Sequence, residues 1–184
     1  MSYITDHKQK FDDLRHYLEN LDQDQLRKQA NGGNSILFSY PPDEEQLYKE
    51  KAIELYQGKA AFIDISKLLV NFIEEDGWEA FKAYYHDFRN TPHVIFSSDD
   101  PSTDLFDMII NEIETACNNG KIPFIVRTGC LYGTGIENVN IMEHKAVMNL
   151  PYPLVIFYPS AIEDENLYFL NFKPASKYRC MLVK

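Results

Sequence analysis

Ile36-Leu37-Phe38-Ser39-Tyr40-Pro41-Pro42-Asp43-Glu44-Glu45 is the stretch that decides the fold. It opens as a short apolar run of the kind a buried strand shows, and two prolines close it because they have no N–H for a strand ladder. The three carboxylates that follow suit the positive end of a helix. The reading is strand, turn, helix. The helix is expected to run to about Tyr56, with Gly58 as its stop, and Ala60-Ala61-Phe62-Ile63-Asp64-Ile65 reads as the second strand.

Working outward, Phe11, Leu14, Leu18 and Leu21 predict one amphipathic helix over residues 6–30, ended by Asn31-Gly32-Gly33-Asn34. Ser66 caps a helix with Leu68, Leu69, Phe72 and Ile73 on one face, and after Gly77 a second stripe begins with Trp78, Phe81, Tyr85 and Phe88. Val94-Ile95-Phe96 reads as a short third strand. Asp100-Pro101 reads as the start of a helix carrying Phe106, Ile109, Ile110, Ile113, Ala116 and Cys117. Residues 123–127 form a strand that opens into a glycine-bearing loop, residues 128–135, and a further helix is expected over residues 138–149. Residues 154–158 are the most hydrophobic strand, and the runs 167–172 and 178–183 predict a terminal hairpin. The alternation of strands and helices predicts a single three-layer α/β domain, residues 1–184. Its mostly parallel sheet carries helices on both faces, a degenerate form of a nucleotide-binding sheet, with the N-terminal helix in residues 1–31 and the hairpin in 160–184.

Composition narrows the function. With 45% hydrophobic residues, the 184-residue chain has ample material for a core. Its 28 Asp and Glu against 18 Lys and Arg give a net charge of −10, which repels phosphate backbones and anionic headgroups, and the cations are scattered singly. Nucleic-acid binding by the isolated chain and membrane association are therefore disfavoured. Cys117, Cys130 and Cys180 form no C-x-x-C pair, which argues against a disulfide framework and a zinc site and for a reducing compartment. Neither a secretory apolar segment at the start nor a run of spanning length is visible, so a cytoplasmic location is expected.

Three blocks carry a family resemblance. They are Ile36-Leu37-Phe38-Ser39-Tyr40-Pro41-Pro42-Asp43, then Phe124-Ile125-Val126-Arg127-Thr128-Gly129 with Glu143-His144-Lys145-Ala146-Val147-Met148-Asn149-Leu150, then Pro153-Leu154-Val155-Ile156-Phe157-Tyr158-Pro159 with the aromatic run from Leu167-Tyr168-Phe169 to Tyr178-Arg179. In this order the chain resembles the BrxB-type component of bacteriophage-exclusion (BREX) defence systems, departing from the family pattern at Glu143 and in the extra glycines Gly133 and Gly135. The resemblance implies a phage-defence cluster and a PglZ-type protein of the alkaline-phosphatase superfamily as direct partner, with other BREX components as further partners.

The residues offer two candidate sites. Gly129, Gly133 and Gly135 follow a parallel strand, where open α/β sheets bind ligands, and Thr128, Arg127, Asp64 and His144 are the polar residues assigned to this ligand edge. The order G-x-x-x-G-x-G is neither a P-loop, which needs a lysine and a magnesium-binding hydroxyl, nor a dinucleotide fingerprint, so turn geometry is the simpler account. Asp64 near a strand end is expected to need a partner such as Arg127. Cys130 upstream of His144 invites a nucleophile reading, against which stands ordinary packing. Asp99 and Asp100 read as solvated caps rather than metal ligands. The second site is the aromatic segment Trp78, Phe81, Tyr84, Tyr85 and Phe88. Core packing is its default, but Tyr84 lies off the apolar stripe and is expected to face outward, toward a partner. The resulting expectation is a non-catalytic adaptor with no cofactor or metal. The alternatives are a nucleotide-binding regulator or hydrolase using loop 128–135, and a metabolic or structural protein.

Overall fold

The computed structural model describes residues 3–98 and 104–184, with side chains from residue 7 onward. Its centre is strand β1, Ser35–Tyr40, whose six residues are all buried. Alternate side chains serve opposite faces, so Leu37 enters one core while Ile36 and Phe38 enter the other. A strand covered on both faces has no polar alternation, which is why Ile36-Leu37-Phe38 is continuously apolar, and buried Ser39 satisfies its hydroxyl by donating to Ser160 O.

Helices α1 (Tyr3–Asn20) and α2 (Gln23–Gln29) precede β1, and α3 (Glu45–Tyr56) follows it after a 3-10 turn at Pro42–Glu44. Next come β2 (Ala60–Asp64), α4 (Ile65–Asp76), α5 (Trp78–Phe88), α6 (His93–Phe96), α7 (Leu105–Asn118) and β3 (Ile122–Val126). A 3-10 turn at Thr128–Leu131 leads to α8 (Asn138–Met142), α9 (Lys145–Met148), β4 (Leu154–Glu163), β5 (Asn166–Phe169), β6 (Lys173–Ala175) and β7 (Cys180–Val183). The strand order is β2-β3-β4-β1-β7, with every one of these neighbours parallel. Phe11, Leu14, Tyr48 and Tyr56 from α1 and α3 pack on one face against Phe38, Phe124 and Phe157. On the other face Ile65, Ile109 and Ile113 from α4 and α7, with Met142 and Val147, meet Leu37, Ile125 and Ile156. The architecture is thus the three-layer, mostly parallel α/β sheet that the alternation predicts.

Four local expectations are corrected. The first helix divides at Leu21, because Asp22 starts α2 with a reciprocal capping box with Gln25. Val94-Ile95-Phe96 is not a strand. Pro92 holds helical dihedrals, Ile95 and Phe96 donate back to its carbonyl, and their burial is achieved within a single helical turn. The helix over 138–149 is two short ones, broken where His144 takes extended dihedrals as the cap of α9. Finally, the antiparallel hairpin of the C-terminal region joins Ser160–Glu163 of β4 to β5, through Asp164 and Glu165 with φ of 47° and 67°. Positive φ at both central residues matches the right-handed twist of a hairpin. β6 pairs with β5, while residues 180–183 leave the ribbon and extend the parallel sheet beside β1. The expected Asp100-Pro101 cap lies outside the described residues, as does Asp99. The carboxylate that caps α7 is Asp104, which accepts from Asp107 N and Ser98 N at 2.9 and 2.6 Å.

Candidate functional site

At the carboxyl end of the sheet, Asp64 finishes β2 and, in place of the expected Ser66, caps α4: Ser66 already lies in the first turn and donates to the Asp64 carboxylate through N at 3.1 Å and Oγ at 2.6 Å. Lys49 Nζ reaches Asp64 Oδ2 at 3.0 Å from α3, and Arg127 Nε lies 3.6 Å away. Burial pushes this carboxyl upward, but the hydrogen bonds from Ser66 and Lys49 and the charges of Lys49 and Arg127 outweigh it and hold it below the ordinary range. The expected meeting of Asp64 and Arg127 is present. Lys49 is the member that sequence reasoning missed, since a contact across a strand crossover leaves no periodic signal. Arg127 itself adopts φ 58°, the left-handed region, where β3 turns sharply into loop 128–135.

Both threonine hydroxyls of the loop and three of its amides are engaged within the fold. Thr128 Oγ1 donates to Phe157 O at 2.7 Å, and Thr134 Oγ1 donates to Leu131 O at 2.8 Å while accepting from Ile136 N. The amides of Cys130, Tyr132 and Thr134 donate to Arg127, Gly129 and Leu131 carbonyls. Gly133 and Gly135 both have φ of 85°, and a Cβ on Gly135 would lie 3.2 Å from His93 N. Gly129 has ordinary φ and ordinary room. These are turn and packing glycines. The β4–β5–β6 ribbon grows past the sheet edge and presses Tyr158, Phe169 and Pro174 toward Leu131 and Ile136, leaving a cavity of about 20 Å³. Small-molecule sites generally need about 300–1,000 Å³. A shallower, more open depression of about 310 Å³ is bounded by Pro42, Asp43, Glu45, Gln46, Arg127 and Cys130 and shares no lining residue with that cavity.

His144 is absorbed in structure: Nδ1 accepts from Ala146 N at 3.3 Å and the ring meets Phe106 edge-on. No hydrogen bond joins it to Cys130. Burial, followed by the carboxylates of Glu45 and Asp64, pushes the Cys130 thiol up, opposite to what a nucleophile needs. Among the described residues, no three His, Cys, Asp or Glu side chains gather into a metal-binding group.

The aromatic segment is different. Helix α5 has eleven residues and none of them is buried. Phe81 is its anchor, half-buried with its ring centroid 6.2 Å from Phe72 and 6.1 Å from Phe96. Trp78 and Tyr85 flank Phe81 at 6.2 and 5.9 Å, and Tyr84 stands 4.8 Å from Phe88. Core packing as the default is corrected here: Trp78 is 59% exposed and Tyr84 45%, with Tyr85 and Phe88 also exposed. The helix packs through the row of Phe81 and Tyr85 against α4 and α6, and among the described residues no further layer covers it. Tyr84 faces outward, as its place off the stripe predicts. A second apolar surface, a groove between α1 and α3, is lined by Phe11, Leu47, Tyr48 and Leu55.

Comparison of the chain with family models, with curated proteins and with solved structures finds no match in any of the three. Among the described residues, no helix is long and apolar enough to cross a membrane.

Proposed function

We propose that this chain is a non-catalytic adaptor of a BREX-type phage-defence complex, and that it holds a PglZ-type protein through the outer face of α5. The observation that carries the adaptor reading is a helix rich in Trp, Tyr and Phe without one buried residue. Exposed aromatic residues gathered on one rigid element are the side chains that most often supply binding energy at protein interfaces. The identity of the partner rests on the three ordered sequence blocks that resemble the BrxB-type family. A cytoplasmic setting fits Cys117, Cys130 and Cys180 as free thiols.

The test is capture of the PglZ-type protein encoded in the same gene cluster by the tagged chain. Wild-type protein is expected to retain it. Tyr84→Ala is expected to weaken the complex by about 1–2 kcal/mol while the domain stays folded. Failure of the wild type to retain any PglZ-type protein would reject the assignment, and full-strength binding by Tyr84→Ala would move the interface elsewhere.

A further inference from the structure

Trp78 stands at the corner where α4 ends and α5 begins, and it has acidic company. Glu74, Glu75 and Asp76 close α4, Glu79 follows Trp78, and all four side chains are exposed. Residues 68–81 contain no lysine, arginine or histidine. The ion pairs of the described residues engage none of these four carboxylates. An exposed indole thus sits beside four carboxylates that form no ion pair among the described residues; one cation, Lys82, lies a turn away on α5, at i+4 from Trp78 and i+3 from Glu79, while His86 and Arg89 lie further along it.

We infer that the face of α5 takes an arginine- or lysine-bearing segment of a protein partner, with a cation over the Trp78 ring and Glu74, Glu75, Asp76 and Glu79 around it. The inference rests on the adaptor reading above and names the chemistry of what docks there. An indole face attracts a guanidinium or ammonium through its quadrupole, and neighbouring carboxylates add Coulomb attraction that also speeds encounter. The same charges repel nucleic acid and anionic lipid, so a protein segment is the occupant that the patch suits.

The chain's single tryptophan makes the site directly readable. Protein carrying 5-fluorotryptophan has one ¹⁹F resonance, and it reports Trp78. Two probes are titrated: the PglZ-type protein from the same gene cluster, and a synthetic amphipathic helix of arginine and leucine, compared with its glutamine-for-arginine counterpart. Each productive probe should shift or broaden the resonance. Wild-type affinity should fall about tenfold between about 50 and about 300 mM salt. The triple variant Glu74→Gln, Glu75→Gln, Glu79→Gln should bind about tenfold more weakly at the lower salt and little differently at the higher. By calorimetry, Trp78→Leu should lose about threefold, because it keeps apolar area but removes the ring face. Salt-independent PglZ-type binding that the triple variant retains would overturn the inference and leave the adaptor reading standing. If no PglZ-type protein binds, that reading falls and the peptides decide. Preference for the arginine peptide that the triple variant loses supports a cationic occupant, and equal response to both peptides overturns it. Self-association of the wild type through α5 would also overturn it.

Discussion

Lys49 and Asp64 meet at 3.0 Å across the crossover from β1 to β2, so α3 on one face of the sheet is fastened to the strand end from which α4 leaves on the other. The carboxylate is only 10% exposed and accepts from Lys49 Nζ, Ser66 N and Ser66 Oγ, with the Arg127 guanidinium a further ion-pair partner at 3.6 Å. Asp64→Ala removes a helix cap and leaves Lys49 without its partner. It should destabilise the domain by about 1–3 kcal/mol.

The pH dependence of that loss has a definite sign. An unfolded aspartate titrates near about 3.9, and the folded Asp64 lies lower. The stabilisation is therefore complete above the unfolded value and fades as pH falls through the folded one. The gap in melting temperature between wild type and Asp64→Ala should be constant above about pH 5 and narrow below about pH 4. A gap that widens in acid would contradict the ion-pair account.

Gly33 and Gly133 should respond to alanine for different reasons. A Cβ on Gly33 would stand 1.8 Å from the carbonyl oxygen of Arg179, so the chain entering β7 must move. At Gly133 there is open space but φ is 85°. Gly133→Ala should cost about 1 kcal/mol from backbone strain alone, whereas Gly33→Ala should cost more, about 1–3 kcal/mol. Urea unfolding of the two variants gives the order directly.

ATP or GTP with magnesium should leave the melting temperature unchanged. Loop 128–135 has no lysine, and both of its threonine hydroxyls are bonded within the fold. A ligand at 100 times its dissociation constant stabilises by about 2.7 kcal/mol, which thermal unfolding detects easily. A clear upward shift would revive a nucleotide-binding role for this edge.

Trp78→Ala should remain folded, since the residue is 59% exposed. Phe81→Ala should cost more because Phe81 joins α5 to Phe72 and Phe96, and truncating packed aromatics costs up to about 3–5 kcal/mol. Comparative thermal unfolding separates the outer face of α5 from its inner anchor. Equal destabilisation by the two would mean that Trp78 is covered after all.

The β1–turn–α3 junction was legible because its signals are local: an apolar run, two prolines and an acidic first turn. The helical period of α5 was equally plain, yet a period marks a stripe without saying whether anything covers it, so the exposure of Trp78 was hidden. The short run Val94-Ile95-Phe96 has too few residues to separate strand from helix by pattern. Of the run 178–183, residues 180–183 are extended while Tyr178 and Arg179 form a turn with Arg179 at φ 60°, and the pairing of that strand to β1 is a long-range choice with no local mark. At the candidate edge Asp64 and Arg127 were found through burial logic. Lys49 was not, since its role exists only once the crossover is folded.

The position of β1 also governs how the domain must be made. Residues 35–38 pair with 154–157 on one side and with 180–183 on the other, so an early-synthesised strand waits for late-synthesised neighbours on both edges. Such non-local pairing slows folding, and an apolar strand with bare edges is prone to aggregate. Until β4 emerges from the ribosome, the amphipathic helices α1 and α3 are the cover that nearby sequence can offer. A nascent chain halted before β7 leaves one edge of β1 open, and that is the form on which chaperones and proteases act.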